Sequence, residues 1–136
     1  MSTVIVDYES GNLHSAEKAF QRMAAEVGAG PVTVTSDPDV VRRASRVVLP
    51  GDGAFPACQK ELYDHRGLFE AIEDVVITQG QPFFGICIGM QMLATRGMEY
   101  SETPGFDWIG GTVERITPKD DTLKVPHMGW NDLVID

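Results

Sequence analysis

Residues 82–93, PFFGICIGMQML, set a cysteine between two isoleucines and two glycines where an apolar run must turn. A strand-to-helix turn of the form Gly-x-nucleophile-x-Gly keeps its nucleophile in a strained, open conformation, and it survives only when its neighbours two before and two after are small. Gly85 and Gly89 meet that condition around Cys87. A helix continuing through Gln91, Met92 and Leu93 would point its N-terminus at the sulfur and favour the thiolate. The next backbone N–H, on Ile88, would then be free to hold an oxyanion. Together these residues describe a thiol that attacks a carbonyl carbon. The competing reading is simple burial, because cysteine is among the most buried residue types. The apolar strand before Cys87 and the helical spacing after it favour the nucleophile. Cys58, in PACQKEL, has neither and reads as a structural thiol on a helix.

The second candidate is PGDGAF, at 50–55, directly after the apolar run RVVL. Gly51 and Gly53 allow the backbone to approach a ligand closely. No third glycine follows at the spacing of a dinucleotide fingerprint, so by itself the segment is a turn. Beside a cysteine elbow it becomes a second source of N–H groups for an oxyanion. Cysteines and histidines do not cluster at ligand spacing, so neither a metal site nor a cofactor is expected.

The elements that must carry these pieces alternate. Thr3 to Val6 is a β-branched run suited to a buried strand. Leu13, Ala16, Phe20, Met23 and Val27 fall at helical spacing, with Gly28 as the stop. Val32 to Thr35 reads as a second strand, and Asp37 with Pro38 as the start of a helix. RVVL is a third strand, Leu68, Phe69, Ile72, Val75 and Val76 mark a helix ended by Gly80, and QPFFGI is a fourth strand. The pattern predicts an α/β fold, a mainly parallel sheet flanked by helices and flavodoxin-like in layout, with ligands at the carboxyl ends of the strands. Beyond Thr103 the texture shifts to hairpin-forming strands and loops. Both glycine-bearing turns, PGDG and GICIG, fall at strand ends.

At 136 residues the chain is expected to be a single domain, 1–136. Its formal charge of −9 argues against nucleic acid or an anionic membrane as partner. No apolar run approaches the ~20 residues of a membrane span. MSTVIVDYESGN lacks the features of a secretory signal, so a cytoplasmic protein with two reduced thiols is expected. The closing run NDLVI looks like a strand without a cap, and the domain is expected to be incomplete at that end.

With both pieces in place the sequence resembles the class I, triad-type glutamine amidotransferases, and among them the glutaminase subunits of imidazole glycerol phosphate synthases. The resemblance rests on VDYESGNLHSAEKAF, PGDGAF with GICIGMQML, and VPHMGWN, and it spans the chain from Val4 to Val134. It implies that Cys87 attacks the carboxamide of glutamine and forms a glutamyl thioester. It implies that N–H groups of Ile88 and of the Gly51–Gly53 stretch hold the oxyanion, that Gln91 contacts glutamine, and that Glu99 recognises the α-amino group. PHMGWN, with His127, Met128, Trp130 and Asn131, would face a partner, the cyclase subunit of the synthase, a (β/α)8 barrel that consumes the ammonia.

The sequence also departs from the family. The general base there is a His paired with a Glu in a later HPE segment, and these 136 residues contain no HPE. His14, His65 and His127 read as capping, solvated and interface residues. Without a triad member the rate falls on the order of 10⁴-fold, so the polypeptide as written should be a poor glutaminase. Glu9 and Asp52 stand where the family leads one to expect glycine or apolar residues. If the partner controls the site, the expected lever is a peptide flip within Gly51–Gly53. Two other readings share the elbow: a cysteine hydrolase on a related α/β fold, and a non-catalytic flavodoxin-like module with an inert Cys87.

Overall fold

The computed structural model describes residues 1–132, 134 and 135. Strand β1 (Thr3–Val6) is buried along its whole length, as a β-branched run in the middle of a parallel sheet must be. Helix α1 (Leu13–Val27) begins where the Asn12 side chain accepts from Ser15 N–H and ends at Gly28 in the left-handed conformation. Strand β2 (Val32–Thr35) leads to the single turn α2 (Pro38–Val41), capped by Asp37, and then to β3 (Arg46–Leu49). Helices α3 (Phe55–Asp64) and α4 (Leu68–Glu73) follow, the latter running into a π-helical turn, Asp74–Thr78. Strand β4 (Phe83–Gly85) completes a parallel sheet of order β2-β1-β3-β4. That order is the opening of the flavodoxin-like arrangement, and the predicted α/β fold with a mainly parallel, helix-flanked sheet is what the chain adopts.

After a one-turn helix, α5 (Ile88–Gln91), the chain forms β5 (Ala94–Gly97), β6 (Thr103–Pro104) and β7 (Ile109–Val113), a second sheet of order β6-β5-β7. Two expectations need correction here. The elbow helix does not run through Met92 and Leu93, because their carbonyls are taken by another segment: Phe106 N–H donates to Met92, and Trp108 and Ile109 N–H to Leu93. Nor is the region beyond Thr103 simply hairpins. β5 and β6 are antiparallel, but β7 runs parallel to β5. The run NDLVI is not a strand at 131, 132, 134 or 135, and Leu133 lies outside the described residues.

The core lies where α2, α3 and α4 pack on the main sheet, with Tyr8, Phe55, Leu62, Leu68 and Ile72 fully buried. A cluster of aromatic rings, Phe69, Phe83, Phe106 and Trp108, fastens the second sheet to α4 and β4. No helix among the described residues is long and apolar enough to cross a membrane.

Candidate active site

The elbow forms because β4 arrives beside β3. Ile86 N–H donates to Leu49 O at 2.9 Å, and the chain turns at the next residue. Cys87 adopts φ 55° and ψ −116°. Positive φ is uncommon for a non-glycine residue, and this ψ lies far from the left-handed basin at roughly +50°. Such a conformation costs on the order of 1–3 kcal/mol and persists only where its surroundings impose it. The surroundings here are backbone. A Cβ on Gly85 would lie 2.6 Å from Met90 Cα, and one on Gly89 would overlap the Leu49 carbonyl oxygen. The two small residues therefore let the turn close, and Cys87 stays exposed while Ile88 is buried.

The donors of the turn can be followed one by one. Gly89 N–H bonds Ile86 O at 3.0 Å, and Met90 and Gln91 N–H both bond Cys87 O, at 3.0 and 3.1 Å. The Ile88 N–H takes no part in this set and is the donor left beside Cys87. Because α5 is only one turn long, the helix field at the sulfur is smaller than that of the longer helix the sequence predicted.

The Gly51–Gly53 loop lies against this turn: a Cβ on Gly51 would sit 2.6 Å from Gly89 N and 2.8 Å from Ile88 Cβ. Beneath the loop is a buried polar group of residues from the segment between β1 and α1 and from α3. Tyr8 hydroxyl donates to Pro50 O at 2.6 Å, and Asp52 N–H donates to Ser10 Oγ at 3.1 Å. Asp52 O accepts from the Ser10 hydroxyl at 3.0 Å and from the Cys58 thiol at 3.2 Å. Burial above all, and then the neighbouring Cys58, pushes the Tyr8 hydroxyl well above its ordinary range, so it stays protonated. Since the N–H and C=O of a trans peptide point opposite ways, the Gly51 carbonyl and the Gly53 N–H face away from Ser10. Sequence reasoning found the loop but not this support, which joins residues 42 positions apart. Glu9, one of the two positions where glycine or an apolar residue was expected, holds φ 70°, a conformation glycine adopts more cheaply.

Next to the loop and elbow lies a cavity of about 610 Å³, bordered by Gly53, Phe55, Ile88, Gln91 and Glu99 among others. That is within the size range of small-molecule sites. It gathers four of the expected site residues. Gly51 and Cys87 are not on the cavity lining itself, although Ile88, next to Cys87, is. His127, Met128, Trp130 and Asn131 are elsewhere, on an exposed tail where Asn131 Nδ2 lies 3.0 Å from His127 Nε2. Met128 and Trp130 are 88% and 103% exposed, with no protein surface over them. Only Val125 and Pro126 of that segment reach the cavity. No described hydrogen bond joins His14, His65 or His127 to Cys87, and no three potential ligands gather around a cation position among the described residues.

Comparison with known proteins bears on this arrangement. The family model described as "Glutamine amidotransferase class-I" matches residues 4–136. Curated relatives include the imidazole glycerol phosphate synthase subunit HisH of Ruegeria pomeroyi and that of Cereibacter sphaeroides, each 67% identical over 136 residues, covering 100% of this chain and 64% of the relative. HisH of Bradyrhizobium diazoefficiens is 55% identical over 134 residues, covering 98% of this chain and 62% of that protein. The chain thus spans a little under two thirds of the length of these relatives.

Proposed function

The chain belongs to the class-I glutamine amidotransferase family, and from that premise we propose that it carries the nucleophile half of a glutaminase that supplies ammonia to imidazole glycerol phosphate synthesis. The observation that carries the proposal is Cys87 itself, held open at φ 55° by two glycines that no other residue could replace without overlap. In this reading the Cys87 thiolate attacks the side-chain carbonyl carbon of glutamine. The oxyanion is held by Ile88 N–H and by an N–H of Gly51–Gly53. The C–N bond breaks, the nitrogen takes up a proton and leaves as ammonia, and a glutamyl thioester remains. Water then attacks the thioester, releasing glutamate and restoring the thiol. Gln91 and Glu99 recognise the substrate from the cavity wall. The base that accepts the thiol proton is not assigned among the described residues.

The names of the relatives support a partner synthase subunit, and the exposed His127–Asn131 patch is where a cyclase barrel would dock. With Asp52 N–H committed to Ser10, a peptide flip at Gly51–Asp52 is the step by which the partner would complete the oxyanion site. The test is intact mass after incubation with a diazo-ketone analogue of glutamine, followed by peptide mapping. An adduct on Cys87 that excess glutamine prevents is the expected result. Absence of any adduct, in this chain and in a chain of the relatives' length, would sink the proposal. Equal turnover with and without the partner subunit would remove the flip.

A further inference from the structure

Glu99 touches more than the cavity. Helix α3 starts at Phe55, and its N-cap residue, Ala54, has no side chain able to accept from the first-turn N–H groups. That acceptor comes instead from another part of the chain: Glu99 Oε2 takes the Phe55 N–H at 2.8 Å. The contact is reinforced two residues earlier. A Cβ on Gly97 would lie 2.7 Å from the Phe55 ring, so β5 lies directly on that ring, and Phe55 is buried. The turn after β5 is tight, with Tyr100 at φ 61° and Ser101 N–H on Glu99 O at 2.7 Å, which aims the Glu99 carboxylate back at α3. Phe55 stands two residues beyond Gly53, the end of the loop that lies against the elbow.

We propose that Glu99 is a positioning residue with two working oxygens: Oε2 fixes the downstream end of the Gly51–Gly53 loop through Phe55, and Oε1 is left for the ammonium group of glutamine. The inference rests on the amidotransferase reading of the cavity and adds to it a mechanical link. The carboxylate that reads the substrate also holds the loop that must stabilise its oxyanion, so occupancy of one end stiffens the other. A glutamine lacking its α-amino group would enter the cavity without engaging that link.

Glu99→Gln and Glu99→Ala separate the two roles, because the amide oxygen of glutamine can still accept from Phe55 N–H whereas alanine cannot. In the purified protein, saturation kinetics of Cys87 labelling by the diazo-ketone analogue give an apparent KI and a maximal rate. Glu99→Gln is expected to raise KI about tenfold or more while its maximal rate falls less than that of Glu99→Ala. Glu99→Ala is expected to raise KI similarly and to lower the maximal rate a further roughly fivefold, the worth of a lost helix cap. Amide hydrogen exchange at Gly53 and Phe55, with no ligand present, should quicken in Glu99→Ala alone. Equal maximal rates and equal exchange in the two variants would overturn the inference. Faster exchange in Glu99→Ala without a change of maximal rate would reduce Glu99 to a structural cap and overturn the link. Labelling that does not saturate, or that glutamine does not block, in the unsubstituted protein points to failure of the amidotransferase reading, while the exchange data still decide the cap.

Discussion

The surroundings of Cys58 and of Cys87 show one residue type put to two uses beside a single loop. Cys58 is fully buried on α3, with its sulfur within 3.2 Å of Asp52 O and 3.1 Å of Ser10 Oγ. Cys87 is exposed at a backbone angle that few residues tolerate. Around Cys58 side chains do the holding: Tyr8, Ser10 and the thiol itself satisfy the backbone of Pro50 and Asp52. Around Cys87 side chains are absent, and glycine backbone supplies the fit. The Gly51–Gly53 loop is steadied from its buried side by polar side chains. The Cys87 turn beside it is closed by backbone contacts at Gly85 and Gly89.

The contrast is sharpest in chemistry. If the proposed glutaminase reading holds, Cys87→Ser in a chain of the relatives' length should lower glutamine hydrolysis on the order of 10⁴-fold, measured as glutamate released. Cys58→Ser should leave turnover within a few-fold. Under native conditions iodoacetamide should modify Cys87 and spare Cys58; modification of both would break the comparison. Stability comes next. Gly89→Ala forces a methyl group onto the Leu49 carbonyl and should cost about 3 kcal/mol in urea denaturation. An unchanged midpoint would mean the elbow can relax and that backbone contact is not what holds it.

Tyr8→Phe tests the buried side. It strands the Pro50 carbonyl and should cost about 2 kcal/mol. It also carries a pH signature. The Tyr8 hydroxyl has an ordinary value of 10.0 and is pushed upward by burial. Its unfolded form therefore loses a proton first, so stability is intact below pH 10.0 and falls as pH rises above it. Phe at this position should abolish that alkaline slope. Cys58→Ser is the smallest effect, about 1 kcal/mol, because a hydroxyl can still donate to Asp52 O.

Local patterns in the sequence were enough for the first half of the molecule. Thr3–Val6 is a strand to the residue, Asp37 and Pro38 start α2, and Gly28 ends α1. The elbow was legible for the same reason, since Gly85 and Gly89 state a steric requirement within five residues. β5 was not, because Ala94–Gly97 becomes a strand only through β6 and β7, and nothing local separates it from the end of a helix. The Glu99–Phe55 cap and the Ser10–Cys58 support span 44 and 48 residues. Contacts of that reach are set by how β1, β3 and β4 line up, which spacing along the chain does not reveal.

The parallel order β2-β1-β3-β4 also fixes when the turn at Cys87 can form. The elbow closes on Leu49 and Gly51, almost forty positions upstream, and neither is in place until β3 has paired with β1. Pairings of that separation form slowly, because the loop entropy is spent before any contact returns it. Until that pairing forms, nothing holds the backbone of Cys87 at positive φ. The strained turn at Cys87 therefore waits on the β1–β3 pairing rather than on anything local to residues 85–89.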